Sequence, residues 1–158
     1  MAALHAWPPK RCYSNDWRRG PCGPSRADWR AFWFLGKAYE ALGHKNTSNW
    51  NFRAAFELHP RDPNVAREYG ISCVELGLGP EAVRAAEEAV ALSPNEAGLY
   101  ANLALAYLIA SLDHQALVAI NKALDMDRKD QTSQNVKEYV DDVLAGRKPR
   151  PRSGADFQ

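Results

Sequence analysis

The stretch Ala66 to Pro94, AREYGISCVELGLGPEAVRAAEEAVALSP, decides how this chain folds, because its spacing recurs on both sides. It contains Ala66-x-x-Tyr69-Gly70-x-x-Cys73, then Gly77, then Ala82-x-x-x-Ala86-x-x-Ala89, then Pro94. The same frame 34 residues earlier holds Phe32, Leu35, Gly36 and Tyr39, then Gly43, then Ser48, Phe52 and Ala55, then Pro60. Moved 34 residues forward it holds Tyr100, Leu103, Ala104 and Tyr107, then Ser111, then Ala116, Ile120 and Ala123, then Arg128. No gap is needed in any frame. A fixed period of this length is the mark of a stacked array.

Start and stop signals divide each unit into two helices. Asp28 offers an N-cap to a helix running from Trp29 to Leu42, where Gly43 ends it. A second helix spans about 47–58 and stops before Pro60. Asp62-Pro63 restarts the chain, since Asp caps exposed amides and Pro is tolerated at the first helical position. The third helix ends at Gly77, and Pro80-Glu81 opens the fourth. Asn95 and Asp113 are the expected caps of the fifth and sixth. A seventh helix, from about Gln131 to Ala145, carries Val136, Tyr139, Val140, Val143 and Leu144 on one face and Lys137, Glu138, Asp141 and Asp142 on the other. One apolar and one polar face suit the last helix of a stack.

The repeated residues resemble the tetratricopeptide repeat, a helix-turn-helix unit of the same length. The resemblance covers three consecutive units, 29–62, 63–96 and 97–130, with 131–146 as a capping helix. It implies an all-α fold, a right-handed α-solenoid of helix-turn-helix repeats. The conserved-type positions then serve packing. Gly36, Gly70 and Ala104 lie where paired helices approach closely, and Ala55, Ala89 and Ala123 do the same from the second helix. Leu35, Tyr69 and Leu103, with Tyr39, Cys73 and Tyr107, fill the space between helices.

Outside the array lie 1–27, rich in Pro, Gly and Arg without a sustained period, and 147–158, read as a basic flexible tail. The net charge of +1 conceals a partition: residues 1–28 carry +3 and residues 147–158 carry +3, leaving −5 for the body. Such a division supports self-association or contact with anionic partners, against a plainer reading as solvated ends. Hydrophobic residues make up 46% and charged residues 25%, which places the chain among ordinary globular domains. No apolar run reaches the ~20 residues of a membrane span, and the N-terminus lacks a signal-peptide core, so the expectation is a cytoplasmic protein. Cys12 and Cys22 do not have a zinc spacing, and whether they pair is left open; Cys73 falls at a core position.

No catalytic constellation is visible. His5, His44, His59 and His114 are scattered, and there is no Gly-rich phosphate loop or nucleophile elbow. The expectation is a non-enzymatic protein with no cofactor and no metal. The resemblance implies a concave groove lined by the first helix of each repeat, and it maps groove positions onto Trp33, Lys37, Arg67, Ile71, Val74, Asn102, Leu105, Leu108 and Ile109. An apolar groove of this kind asks for an occupant: a peptide or helix of another protein, or the chain's own N-terminal segment. Family members that clamp the carboxylate tails of heat-shock chaperones use Lys and Asn in the first repeat, Asn in the second, and Lys and Arg in the third, at positions held here by Trp33, Lys37, Glu68, Gly98 and Asn102. Only Lys37 is cationic, which argues against that partner. Trp29, Phe32 and Phe34 form an aromatic edge on the first helix. Three covers for it are open: the leader, with Trp7 or Trp17; a second copy, making a homodimer; or further repeats of a longer array. The functional expectation is a protein-interaction module, scaffold or chaperone-like adaptor. RNA binding through the basic ends, or service as an accessory domain of a larger enzyme, stands as the alternative.

Overall fold

The computed structural model describes residues 28–157. The expectations placed on residues 1–27, including Trp7 or Trp17 as a cover and the pairing of Cys12 with Cys22, lie outside the described residues. The described chain forms α1 (Trp29–Ala41), α2 (Lys45–Leu58), α3 (Pro63–Leu76), α4 (Gly79–Leu92), α5 (Ala97–Ile109), α6 (Asp113–Met126) and α7 (Gln131–Leu144), with a short 3-10 turn at Gly154–Phe157. No strand occurs among the described residues, and none of their helices is long and apolar enough to cross a membrane.

Several boundaries follow directly from side-chain chemistry. Asp62 accepts hydrogen bonds from the Asn64 and Val65 amides at 2.9 and 3.4 Å, and Pro63 takes the first helical position, where its missing N–H costs nothing. Asp130 does the same for Thr132 and Ser133 at the start of α7. Helix α3 stops at Gly77, whose φ of +73° is open to glycine at no steric cost. Two expected caps are corrected. Glu96, not Asn95, precedes α5, and it makes no side-chain cap bond. Asp113 is the first residue of α6 rather than its cap, and its carboxylate turns to Arg150.

Helices pack in chain order, α1 on α2, α3 on α4 and α5 on α6, with α2 on α3, α4 on α5 and α6 on α7 joining the pairs. The first helices α3, α5 and α7 also touch in turn, so they form one continuous layer. Alanine at positions 55, 66, 82, 85, 86, 89, 104, 116, 119 and 123 is buried along the seams and lets backbones approach. Phe52, Tyr69, Leu99, Leu108, Ile120 and Val140 fill the space between, each contributing about 1.5–3 kcal/mol for a fully buried large apolar side chain. Among the helix–helix seams Gly36 is the tightest: a Cβ built there would lie 2.6 Å from the ring of Phe52. Ser48, where the repeat prefers alanine, donates its hydroxyl to the Gly36 carbonyl at 2.9 Å and so stays buried without an unpaired group.

The array ends depart from the pattern. Leu35 occupies the repeat position filled by buried Tyr69 and Leu103 but is 46% exposed, because no described helix precedes α1 to cover it. On α7, Val136 and Val140 are buried as the period requires, whereas Leu144 is exposed. Residues 147–157 correct the expectation of a flexible tail. They turn back from α7, bury Pro151 and lay their backbone against the end of α3. The reason is an ion pair between Arg150 and Asp113 and a close backbone fit at Gly77, neither of which has a counterpart in the repeat.

Candidate functional site

The layer of first helices opens into a cavity of about 230 Å³ between α3 and α5. Arg67, Ile71, Val74 and Glu75 line it from α3, one and two helical turns apart on a single face. Asn102 and Leu105 line it from α5, with Leu99 beneath. The floor comes from Ala86 and Ala89 of α4, whose small side chains leave the space open. Gly154 and Phe157, from the returning C-terminal segment, close one side. The walls are therefore apolar, with Arg67, Glu75 and Asn102 as a sparse polar rim.

A chain of charges runs along that rim from α1 towards α5. Lys37 sits 2.5 Å from Glu40 and 3.1 Å from Glu68. Glu68, 8% exposed, also receives Arg67 at 3.3 Å, and Arg67 reaches on to Glu96 at 3.6 Å. Two cations thus flank the buried Glu68 carboxyl and supply the partners that burial demands. Burial draws the Lys37 ammonium down, but its hydrogen bonds to Glu40 and Glu68 together outweigh that and hold its pKa above the ordinary lysine value. Lys37 is thus committed to neighbours.

A second cavity of about 420 Å³ opens where α1 faces α3, lined by Trp29, Arg30, Trp33, Phe34, Asn64, Val65 and Arg67 among others. The indole N–H of Trp33 is buried there without a hydrogen-bond partner among the described residues. Trp29 stacks on His59 at 4.6 Å between ring centroids. Phe32 meets Trp50 edge-on at 6.0 Å and packs against the core. Phe34, 65% exposed, is the open part of the aromatic edge.

Of the sequence-expected groove residues, the structure brings Arg67, Ile71, Val74, Asn102 and Leu105 together around the first cavity. Trp33 joins Arg67 at the second cavity, and Lys37 lies on the charged rim. Leu108 is corrected: it is 0% exposed and belongs to the core. Ile109 packs against the core and does not line either cavity. The physical cause is the place of α5, which contacts α3, α4, α6 and α7. A helix enclosed on four sides is apolar all round, so its sequence does not reveal which face looks into the groove. Sequence reasoning missed Gly154 and Phe157; the signals were the basic charge of residues 147–158 and an aromatic residue, Phe157, within that Pro- and Arg-rich stretch.

No protein-family model and no curated protein matches the sequence. Solved structures do match in shape. A MamA fragment from Desulfovibrio magneticus RS-1 superposes with a TM-score of 0.68 at 22% identity, over 75% of this chain and 67% of that one. The first TPR domain of Spaghetti (RPAP3), solved with the HSP90 peptide SRMEEVD, gives 0.66 at 15% identity, over 74% of this chain and 93% of that one. YrrB, described as a TPR protein with an unusual peptide-binding site, gives 0.66 at 19% identity, over 72% and 59%. At these identities the likeness speaks to the backbone alone, and with the period, the seams and the layer of first helices it leads to one conclusion: the chain has the tetratricopeptide-repeat fold.

Proposed function

We propose that this protein is a non-enzymatic interaction module that holds an extended or helical segment of a partner protein in the groove between α3 and α5. One observation carries the reading: a cavity of about 230 Å³ walled by Ile71, Val74 and Leu105, on the layer of first helices. Its size suits one large apolar side chain, and Asn102 and Arg67 offer polar anchors at the rim for the adjoining backbone. Of the similar structures, one was solved with a bound peptide and another is described as having an unusual peptide-binding site, which supports a peptide-holding role.

The partner is not an acidic chaperone tail. A cluster of unpaired cations would be required to receive carboxylates, and here Lys37 and Arg67 are both held by Glu68. The test is affinity capture with the full chain, followed by direct binding of the captured protein to Leu105→Asp and Ile71→Asp. Binding should fall at least tenfold in both while helical content is unchanged. A partner that binds those variants normally but loses Phe34→Asp would move the site to the aromatic edge and refute the groove.

A further inference from the structure

The C-terminal segment behaves as a ligand that is already in place. After α7 the chain reverses at Gly146, and Arg147 and Lys148 are held by Asp142 at 2.7 and 3.3 Å. Lys148 also lies over the ring of Tyr139, 5.0 Å from its centroid. Arg150 then grips Asp113 with both guanidinium nitrogens, one of them at 2.7 Å. Asp156 accepts from the Arg152 and Ser153 amides at 2.7 and 3.1 Å, which curls the end of the segment into its turn. Phe157 meets Tyr139 edge-on at 5.0 Å and closes the side of the cavity.

The contact with α3 is made backbone to backbone. A Cβ on Gly77 would lie 2.1 Å from the Arg152 carbonyl oxygen, and a Cβ on Gly154 would lie 2.9 Å from the Glu75 Cα. Each surface therefore lacks a side chain where the other presses on it. Charge is complementary as well, since residues 147–158 carry +3 against −5 for the body. A solvated tail would show neither the paired glycines nor a bidentate anchor.

We propose that residues 149–157 are a resident occupant of the groove, and that the partner is an extended basic segment of like chemistry that displaces them. Such a segment presents Arg or Lys to Asp113, a residue with little or no side chain at Glu75 and Gly77, and an aromatic ring at the cavity wall beside Leu105. This rests on the groove reading and names the partner class for it. A bound partner and the resident segment exclude one another, so apparent affinity is reduced by the fraction of molecules in which the segment is docked.

The probe is the segment itself, a labelled peptide of residues 147–158, titrated into the full-length protein. Wild-type protein should bind it weakly, because the site is filled. Gly154→Val in the protein, which forces a branched Cβ against Glu75, should unseat the resident segment and tighten peptide binding at least tenfold. Adding Asp113→Lys to that variant should abolish the gain, and a peptide carrying the same Gly154→Val change should not bind. Equal binding by wild type and Gly154→Val, or no binding by either while circular dichroism shows both folded, overturns the proposal. If in that case a captured partner still depends on Leu105, the groove reading survives alone.

Discussion

The same substitution, glycine to alanine, should have opposite effects at Gly36 and Gly70, although both occupy one position of the repeat. At Gly70 an added Cβ meets Ala86 and Ala85 at 3.5 and 3.6 Å, ordinary van der Waals contact. The third repeat already carries Ala104 there, fully buried. Only helix propensity changes, so Gly70→Ala should stabilise by about 0.5–1 kcal/mol. At Gly36 the added Cβ falls 2.6 Å from two ring carbons of Phe52, about 0.8 Å inside the 3.4 Å limit of ordinary contact. Phe52 is fully buried, so its ring can move only by displacing packed neighbours. Overpacking of that kind costs about 1–3 kcal/mol, and the propensity gain of about 1 kcal/mol offsets only part of it. The two variants should therefore differ by about 2 kcal/mol, a separation on the order of 5–10 °C in melting temperature for a domain of this size. Parallel urea and thermal unfolding, followed by far-UV circular dichroism, measures this directly. If Gly36→Ala proves as stable as Gly70→Ala, the direct seating of Phe52 on α1 is wrong.

Leu108→Ala should lower stability by about 2–5 kcal/mol because it empties a fully buried site, whereas Leu105→Ala should change stability little and weaken partner binding; urea midpoints and binding of the captured partner separate the two. Asp62→Ala removes the acceptor for two amides at the start of α3 and should cost about 1 kcal/mol, read as a shift in urea midpoint, with Asp62→Asn recovering most of it. The hydrogen bond from Arg150 holds the Asp113 carboxyl below the ordinary carboxylate range, with burial opposing in part. A lowered pKa in the docked state means docking is favoured above the ordinary range and is lost as pH falls through the docked value. Because both groups are partly exposed, the pair contributes only about 0.2–1 kcal/mol. The amide shift of Gly77, against which the Arg152 carbonyl lies, followed by NMR should show the segment detaching in acid, and Asp113→Asn should remove that step; a titration identical in the variant would refute the anchor.

The fold was legible because packing repeats. Every seam between helices poses the same problem, so Ala66, Tyr69, Cys73, Ala82, Ala86 and Ala89 recur in kind at one spacing, and the structure buries all six. The reading weakened wherever a residue's surroundings do not repeat. Leu35 follows the motif yet stands partly open, since the first helix has no described neighbour on that side. Leu108 was placed in the groove by analogy of position, but α5 is enclosed on four sides and its apolar residues carry no mark of direction. Asp113 looks like a cap from its place before an apolar run. Only a residue 37 positions later shows that its carboxylate serves another purpose.

The C-terminal segment is the extreme case of that limit. It occurs once, so no register assigns it, and its Pro and Arg content favours an extended chain over a helix. What decides its position is a fit between two backbones, and such a fit depends on absence: Gly77 and Gly154 contribute by having no side chain. In the sequence each has an adequate local reason, one as a helix stop and the other as part of a polar end, so neither points to its counterpart. Charge was one legible clue, basic ends against an acidic body, and taken alone it fits solvated tails equally well. The aromatic residue beside those charges distinguishes the two readings, because Phe157 gains from burial against Tyr139 and the cavity wall what a solvated end would forgo. An occupant for the apolar groove was expected from the N-terminal segment or from a partner. The structure shows the opposite end of the chain reaching that cavity, held by the Arg150–Asp113 ion pair, a hydrogen bond from the Tyr139 hydroxyl to the Asp156 carbonyl, the Phe157 ring and the close approach at Gly77 and Gly154. The Arg150–Asp113 pair is partly exposed and contributes only about 0.2–1 kcal/mol, so that anchor can yield to a competitor, which is the property a replaceable occupant needs.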